Sequence, residues 1–113
     1  MRKLGFRAAR SKTIAALQAG PAYIVFEDRT SRESKNLLDT GDVSPEDVIH
    51  LLRVCRGSPD QYRESGHDRD QSIPVHTFKP VYHGSRWYIK VYFLDGTLEL
   101  EPAIFISVHK SNG

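Results

Sequence analysis

Residues 86–94 read Arg-Trp-Tyr-Ile-Lys-Val-Tyr-Phe-Leu, and their side chains alternate between two kinds. One set is apolar and consists of Trp87, Ile89, Val91 and Phe93; the other consists of Tyr88, Lys90, Tyr92 and Leu94. A period of two in β-branched and aromatic residues is typical of a β-strand with one buried face. We therefore predict a strand whose Trp87 face packs on the core. Its Tyr88 face, with side chains about 7 Å apart, suits contacts with a phosphodiester backbone, or else is an ordinary solvated sheet face.

The 113 residues indicate a single domain spanning residues 1–113. No apolar run approaches the roughly 18 residues needed to cross a bilayer, and the basic N-terminus lacks the apolar segment of a secretory signal. One cysteine, Cys55, excludes an internal disulfide. It lies in an apolar helical pattern, so we interpret it as a small buried hydrophobe. These features fit a protein of the reducing cytoplasm.

The formal net charge is only +2, but the charges are unevenly distributed. Residues 1–13 contain five Lys and Arg residues and no acid, and we expect residues 1–10 to form a basic, flexible arm. From Arg53 to Lys90 there are seven Lys and Arg residues, four acids and three histidines. This half is compatible with binding to a polyanion such as RNA, although a solvated surface of mixed charge stays open.

The order of elements predicts an α+β fold. Predicted helices cover residues 12–19, residues 30–38 from a capping box at Thr30, and residues 44–57 from a Ser-Pro start. Predicted strands cover residues 23–26, 73–80, 86–94, 97–101 and 103–109, with a loop over residues 58–72, a turn at residues 82–85 and a hairpin turn at Asp95-Gly96. We expect N-terminal helices on one face of a C-terminal antiparallel sheet, with the other face available for binding.

The alternation also predicts which side chains share a face in two of these strands. In residues 73–80, His76 and Phe78 lie opposite Val75, Thr77 and Lys79. In the last strand, Ile104, Ile106 and Val108 share one face, and Phe105, Ser107 and His109 share the other.

Several familiar sites are absent from the sequence. It contains no glycine-rich phosphate loop, no CxxC and no HExxH, and its histidines match no metal-ligand spacing, so we expect neither a cofactor nor a metal. We expect Ser107 and His109 to lie too far apart to form a nucleophile and its base without a third group. The remaining Arg, Lys, Tyr and His side chains can still cleave RNA, because the 2′-hydroxyl is the nucleophile. The protein then supplies a base, an acid and cations.

Short motifs along nearly the whole chain resemble the MqsR-type mRNA interferase toxins, part of the RelE-like group of toxin-antitoxin RNases. They are Asp60-Gln61-Tyr62-Arg63, His76-Thr77-Phe78-Lys79-Pro80 and Trp87-Tyr88-Ile89-Lys90, with Ala19-Gly20 and Ile106-Ser107-Val108 at either end. The resemblance implies a RelE-like fold and a metal-independent endoribonuclease that cleaves mRNA. It also implies the toxin role in a type II toxin-antitoxin system, with a cognate antitoxin as partner.

The resemblance also implies site residues. The family's catalytic tyrosine falls on Tyr88 and its catalytic lysine on Arg63, which keeps the charge but cannot act as a base. Its glutamine falls on Val75 and the neighbouring acid on His76, so the sequence departs from the family there. We expect His76 or His109 to supply the acid–base function. Our candidate catalytic residues are Arg63, Tyr88, His76 and His109, and our candidate RNA-binding residues are Lys79, Arg86, Lys90 and Tyr92.

A non-catalytic module stays open as an alternative, binding RNA or an acidic protein on the same basic face. The replaced glutamine favours it, whereas Tyr88 and the surrounding cations favour an enzyme. The sequence does not determine the oligomeric state, and a homodimer also stays open.

Overall fold

The structure, a computed structural model, describes residues 4–27 and 36–111. Six strands form a mixed sheet: β1 Ile24–Phe26, β2 Tyr62–Gly66, β3 Pro74–Phe78, β4 Val81–Tyr82, β5 Ser85–Tyr92 and β6 Ala103–Lys110. The order is β1-β6-β5-β3-β2, with β4 paired to β5. The predicted α+β class is confirmed. The C-terminal strands β2, β3, β5 and β6 pair antiparallel, as predicted. The sheet as a whole is mixed, because β1 lies beside β6 and runs parallel to it.

The helices are α1 Gly5–Ala19, α2 Leu37–Thr40 and α3 Pro45–Val54, with a 3₁₀ turn at Pro21–Tyr23. The start of α3 is as predicted. Ser44 Oγ accepts a hydrogen bond from Asp47 N at 3.1 Å, and the Asp47 carboxylate accepts one from Ser44 N at 2.9 Å. Hydrogen bonds from Ser44 to the carboxylate, above all the one from its backbone N–H, lower the pKa of Asp47. Within residues 4–27 and 36–111, no helix combines the length and the apolar character needed to cross a bilayer.

The N-terminal segment differs from its prediction. Helix α1 begins at Gly5 rather than after Ser11, so residues 5–10 of the expected flexible arm are helical. The Glu64 carboxylate accepts a hydrogen bond from Gly5 N at 3.3 Å and thereby holds the start of α1 to β2. The helix predicted from the capping box at Thr30 falls mostly on residues 28–35, which lie outside the described residues.

The core lies between the helices and one face of β5, as predicted. Ile89 and Val91 are fully buried and Phe93 nearly so, and Trp87 packs at the edge of the same cluster. Burying such side chains stabilises the fold by about 1.5–3 kcal/mol each. Cys55 is also buried in this core, and burial raises the pKa of its thiol to about 11, as expected for a small hydrophobe.

A β-bulge in β6 changes which of its side chains share a face. Lys90 is in register with Ser107, but the next residue, Val91, is in register with Phe105, so Ile106 is an extra residue. The predicted strict alternation is therefore wrong. Phe105 and Val108 both face the main core, while Ile104 and Ile106 belong to a small second cluster on the other face. A bulge shifts the phase of a strand by one residue.

Two loops also differ from prediction. The polar segment 58–72 contains β2, which pairs with β3 at the sheet edge. Residues 93–102 contain no strand, so the predicted pairing of residues 97–101 is wrong. The buried Glu101 carboxylate holds this loop instead: it accepts hydrogen bonds from Asp95 N and Gly96 N at 3.0 and 2.9 Å, and Lys12 Nζ lies 2.9 Å away.

The predicted turn between β4 and β5 is confirmed. His83 and Gly84 form a two-residue hairpin turn, with φ of 50° and 77°. Positive φ at both central residues matches the right-handed twist of the flanking strands.

Candidate nucleic-acid interface

A groove of about 710 Å³ crosses the sheet face that lies away from the helices. Its lining includes five of the predicted site residues, Arg63, Lys79, Tyr88, Lys90 and His109. Three of these are cations, and the lining contains one carboxylate, Asp68. The sheet thus gathers on one surface residues that are far apart in sequence.

Strand register explains how these residues meet. Arg63 on β2 is in register with Thr77 on β3, Thr77 with Lys90 on β5, and Lys90 with Ser107 on β6. Since neighbouring strands lie about 4.8 Å apart, the backbones at Arg63 and Lys90 are separated by about 10 Å. The prediction that Arg63 lies on a loop is wrong, because Arg63 projects from the edge strand β2. The cationic side chains are therefore anchored at defined points of the sheet.

A second row lies beside the first. Tyr88 is in register with His109, and their rings stack with centroids 5.1 Å apart and planes 21° apart. Lys79 directly follows Phe78, which is in register with Ile89, so Lys79 lies beside Tyr88 in the same groove. The row therefore places a phenol, an imidazole and an ammonium group together.

Ser107 and His109 are in direct contact, with Ser107 Oγ 2.8 Å from His109 Nδ1. The prediction that they lie too far apart is wrong. Both side chains line the groove on the same side of β6, and they are long enough to touch although the residues are two apart on the strand. The bulge at Ile106 determines which face this pair shares, because strict alternation from Phe105 would have turned both residues toward the core.

The groove rim includes a loop that is held by a buried carboxylate. Glu27 Oε1 lies 2.7 Å from His67 Nε2 and accepts a hydrogen bond from the Tyr92 hydroxyl at 3.1 Å. Arg69 N donates to His67 Nδ1 at 3.0 Å, so Nε2 is the nitrogen that donates to Glu27. This anchor fixes the loop that presents Asp68 and Gln71 to the groove.

Tyr92 does not reach the groove. Its side chain is buried against Val75, Ile104 and Ile106, and its hydroxyl binds Glu27. The predicted RNA contact of Tyr92 is thus replaced by a packing role, because the sheet face is closed by apolar residues at this end. Val75 is buried in the same cluster.

His76 lies on the opposite face of the sheet from the groove. It is 1% exposed, its Nδ1 is 2.8 Å from the Tyr62 hydroxyl, and its ring packs near Phe93. Burial lowers the pKa of His76 to about 4. Because β3 alternates, Thr77 lines the groove while His76 faces the core. The structure therefore does not bring His76 together with Tyr88 and Arg63, contrary to the catalytic role predicted for it.

Arg86 lies next to the groove but does not line it. Its guanidinium donates a hydrogen bond to the Asp60 carbonyl at 2.6 Å. This contact ties β5 to the segment before β2, so the predicted RNA-binding residue has a structural partner.

No protein family matched this chain. Searches of curated proteins and of solved structures also returned no match. Within residues 4–27 and 36–111, no three His, Cys, Asp or Glu side chains gather in a group that could hold a metal ion.

Thr77 and Ser107 line the groove but are not among the predicted site residues. Thr77 could have been found, because it alternates with Phe78 on β3 and must share the face of Lys79. Ser107 could not, because its orientation depends on the bulge.

Proposed function

We propose that the groove binds a single RNA strand and cleaves it as a metal-independent endoribonuclease. The observation that carries this proposal is the convergence of Arg63, Lys79 and Lys90 with Tyr88 and His109 on one groove floor. Cations anchored along one groove suit a phosphodiester, and an imidazole beside them suits proton transfer near neutral pH.

The proposed reaction uses the RNA's own 2′-hydroxyl as nucleophile. His109 accepts the 2′-hydroxyl proton, the 2′-oxygen bonds to phosphorus, and the bond from phosphorus to the 5′-oxygen breaks. The leaving 5′-oxygen takes up a proton from the imidazolium. Products are a 2′,3′-cyclic phosphate and a 5′-hydroxyl end. Arg63 and the two lysines offset the charge of the pentacoordinate phosphate, since a guanidinium cannot shuttle protons. The Tyr88 phenol donates a hydrogen bond to the same phosphate.

The biological role that we propose is that of a toxin in a type II toxin-antitoxin system, acting on mRNA in the cytoplasm. Support comes from the MqsR-type motifs around Tyr62-Arg63 and Tyr88-Ile89-Lys90. The RelE-like arrangement and inhibition by a cognate antitoxin belong to the same proposal.

The test is to incubate the purified protein with a long RNA in EDTA and to map the new ends. Wild-type protein should produce 5′-hydroxyl ends, and a 2′-deoxy substitution at the cleaved nucleotide should block the cut. Tyr88→Phe and His109→Asn should each slow cleavage, by about 10²–10⁴-fold for the acid–base residue. His76→Asn, on the opposite face, is the matched control and should cleave at close to the wild-type rate.

Two results would contradict the endoribonuclease. If wild-type protein binds RNA but yields no cut with EDTA or with magnesium, the groove is a non-catalytic binding surface. If cutting persists in Tyr88→Phe and His109→Asn but stops in His76→Asn, the reaction takes place elsewhere.

A further inference from the structure

Contacts with Tyr88 and Ser107 restrain the imidazole of His109 inside the groove. The Tyr88 ring stacks on its plane, and Ser107 Oγ lies 2.8 Å from Nδ1. Ser107 is 7% exposed and therefore stays within the floor of the groove. The stacking and the hydrogen bond at Nδ1 together limit the rotation of the ring. The direction in which Nε2 points is therefore also fixed.

We propose that Ser107 is a positioning residue that accepts a hydrogen bond from Nδ1–H of His109 and thereby assigns proton exchange with the RNA to Nε2. This inference rests on the proposed function. The two imidazole nitrogens are distinct, and the bond made by one determines the protonation of the other. The serine plays the part that an orienting acceptor plays beside other catalytic histidines.

The proton balance of the reaction explains why Ser107 accepts rather than donates. As a base, neutral His109 needs a lone pair on Nε2 to take the 2′-hydroxyl proton, so its own proton must lie on Nδ1. As an acid, the imidazolium returns the Nε2 proton to the 5′-oxygen. Nδ1 keeps its proton through both steps and donates it in a hydrogen bond to the Ser107 oxygen. A donating serine would place the neutral ring's proton on Nε2, which then could not act as a base.

The surroundings of His109 are charged. Lys79, Lys90 and Arg63 line the same groove together with Asp68, and the Tyr88 phenol lies against the ring. Each of these groups remains in place when only the serine hydroxyl is removed. Replacing Ser107 therefore tests the effect of the His109 tautomer while the charged groups that line the groove stay the same.

The first test needs no catalysis. Wild type, Ser107→Ala and Ser107→Thr are labelled with ¹⁵N at histidine and observed by NMR at a pH at which the ring of His109 is neutral. The wild-type ring should be mainly the Nδ1–H tautomer, Ser107→Ala should move it toward Nε2–H, and Ser107→Thr should restore it. A wild-type ring mainly in the Nε2–H form overturns the proposal, whether or not the variants fold. An unchanged tautomer in folded Ser107→Ala does so too.

The second test follows RNA cleavage. Ser107→Ala should lower kcat about tenfold or more, as for partners that orient metal-binding histidines, with little change in KM. It should also shift the pH–rate profile, and Ser107→Thr should recover both. If wild-type protein cleaves no RNA, the proposed function fails, while the tautomer measurement still decides the role of Ser107. If cleavage occurs and Ser107→Ala leaves kcat and the profile unchanged, only the inference about Ser107 fails.

Discussion

The buried histidine on the core face predicts how stability depends on pH. His76 is 1% exposed and packs between Tyr62, Glu64 and Phe93. Burial lowers its pKa from the ordinary 6.5 to about 4; the Glu64 carboxylate opposes this shift and Lys12 adds to it. In the unfolded chain the same imidazole is hydrated and regains its ordinary pKa.

The sign and size of the effect follow from proton linkage. Between pH 6.5 and about 4 the unfolded chain binds a proton at His76 that the folded protein does not bind. The free energy of unfolding therefore rises with pH across this window, with a slope approaching about 1.4 kcal/mol per pH unit. The stability is fully present above pH 6.5 and is lost as pH falls toward 4. Over the whole window the loss amounts to about 3 kcal/mol.

The measurement is urea unfolding at a series of pH values between about 7 and 4.5, for wild type and His76→Asn. Asparagine places an amide near the position of Nδ1 and does not titrate, so its curve should be flatter in this window. His83→Asn makes the same change at an exposed turn whose φ of 50° tolerates asparagine, and it should follow the wild type. Equal losses of stability in wild type and His76→Asn would refute the buried position of His76.

Four aspartates do not obscure this comparison. The carboxylates whose pKa is lowered by local hydrogen bonds titrate below the window, and they are unchanged in every variant. They are Asp47, Asp60, Asp70 and Asp95.

Three further changes test other parts of the structure. Lys90→Ala should reduce the slope of log binding constant against log salt concentration for RNA by about 0.7, whereas Arg53→Ala, on α3 outside the groove, should leave it unchanged. Equal slopes for the two variants in filter binding would place the RNA elsewhere. Glu101→Ala leaves the largely buried Lys12 side chain, which is 10% exposed, without its carboxylate, and it should lower the free energy of unfolding in denaturant by about 3 kcal/mol. A loss well below about 1 kcal/mol would mean that the pair does not hold the loop. Phe105→Ala should lower stability by about 3–5 kcal/mol, and an unchanged melting curve would contradict the position of β6 in the core.

Local patterns were sufficient for some elements. The Ser44-Pro45 start of α3 was predictable because the capping groups lie within four residues of one another. The faces of β5 were predictable because its alternation is uninterrupted. Tyr88 and Lys90 were therefore assigned correctly to the face opposite Trp87, and Lys79 to the face opposite Phe78.

The sequence also contains the pattern that places the side chain of His76 in the core. The same alternation that groups His76 with Phe78 assigns it to the core once Phe78 is recognised as a core residue. Because histidine titrates near neutral pH, His76 was instead predicted to be an acid–base residue. Burial decides between the two interpretations, because a residue 1% exposed cannot meet RNA.

Other features depend on long-range pairing and leave little local trace. The extra residue Ile106 changes the phase of β6 without any change of composition, and it determines where Ser107 and His109 point. Strand β2 contains only one large hydrophobic residue, Tyr62, because it lies at the sheet edge, so it was predicted as a loop. The parallel pairing of β1 with β6 joins segments at opposite ends of the chain.

The most direct measurement of the central claim is an NMR map of the surface that holds RNA. A 2′-O-methyl oligoribonucleotide, which cannot be cleaved, is titrated into ¹⁵N-labelled protein. We predict that the amide shifts change along the groove, at Arg63, Thr77, Lys90 and His109. The pocket between His50 and Trp87 on the helix side should be unaffected. Saturating RNA that leaves the groove amides unchanged, or that shifts the helix side instead, would contradict the account.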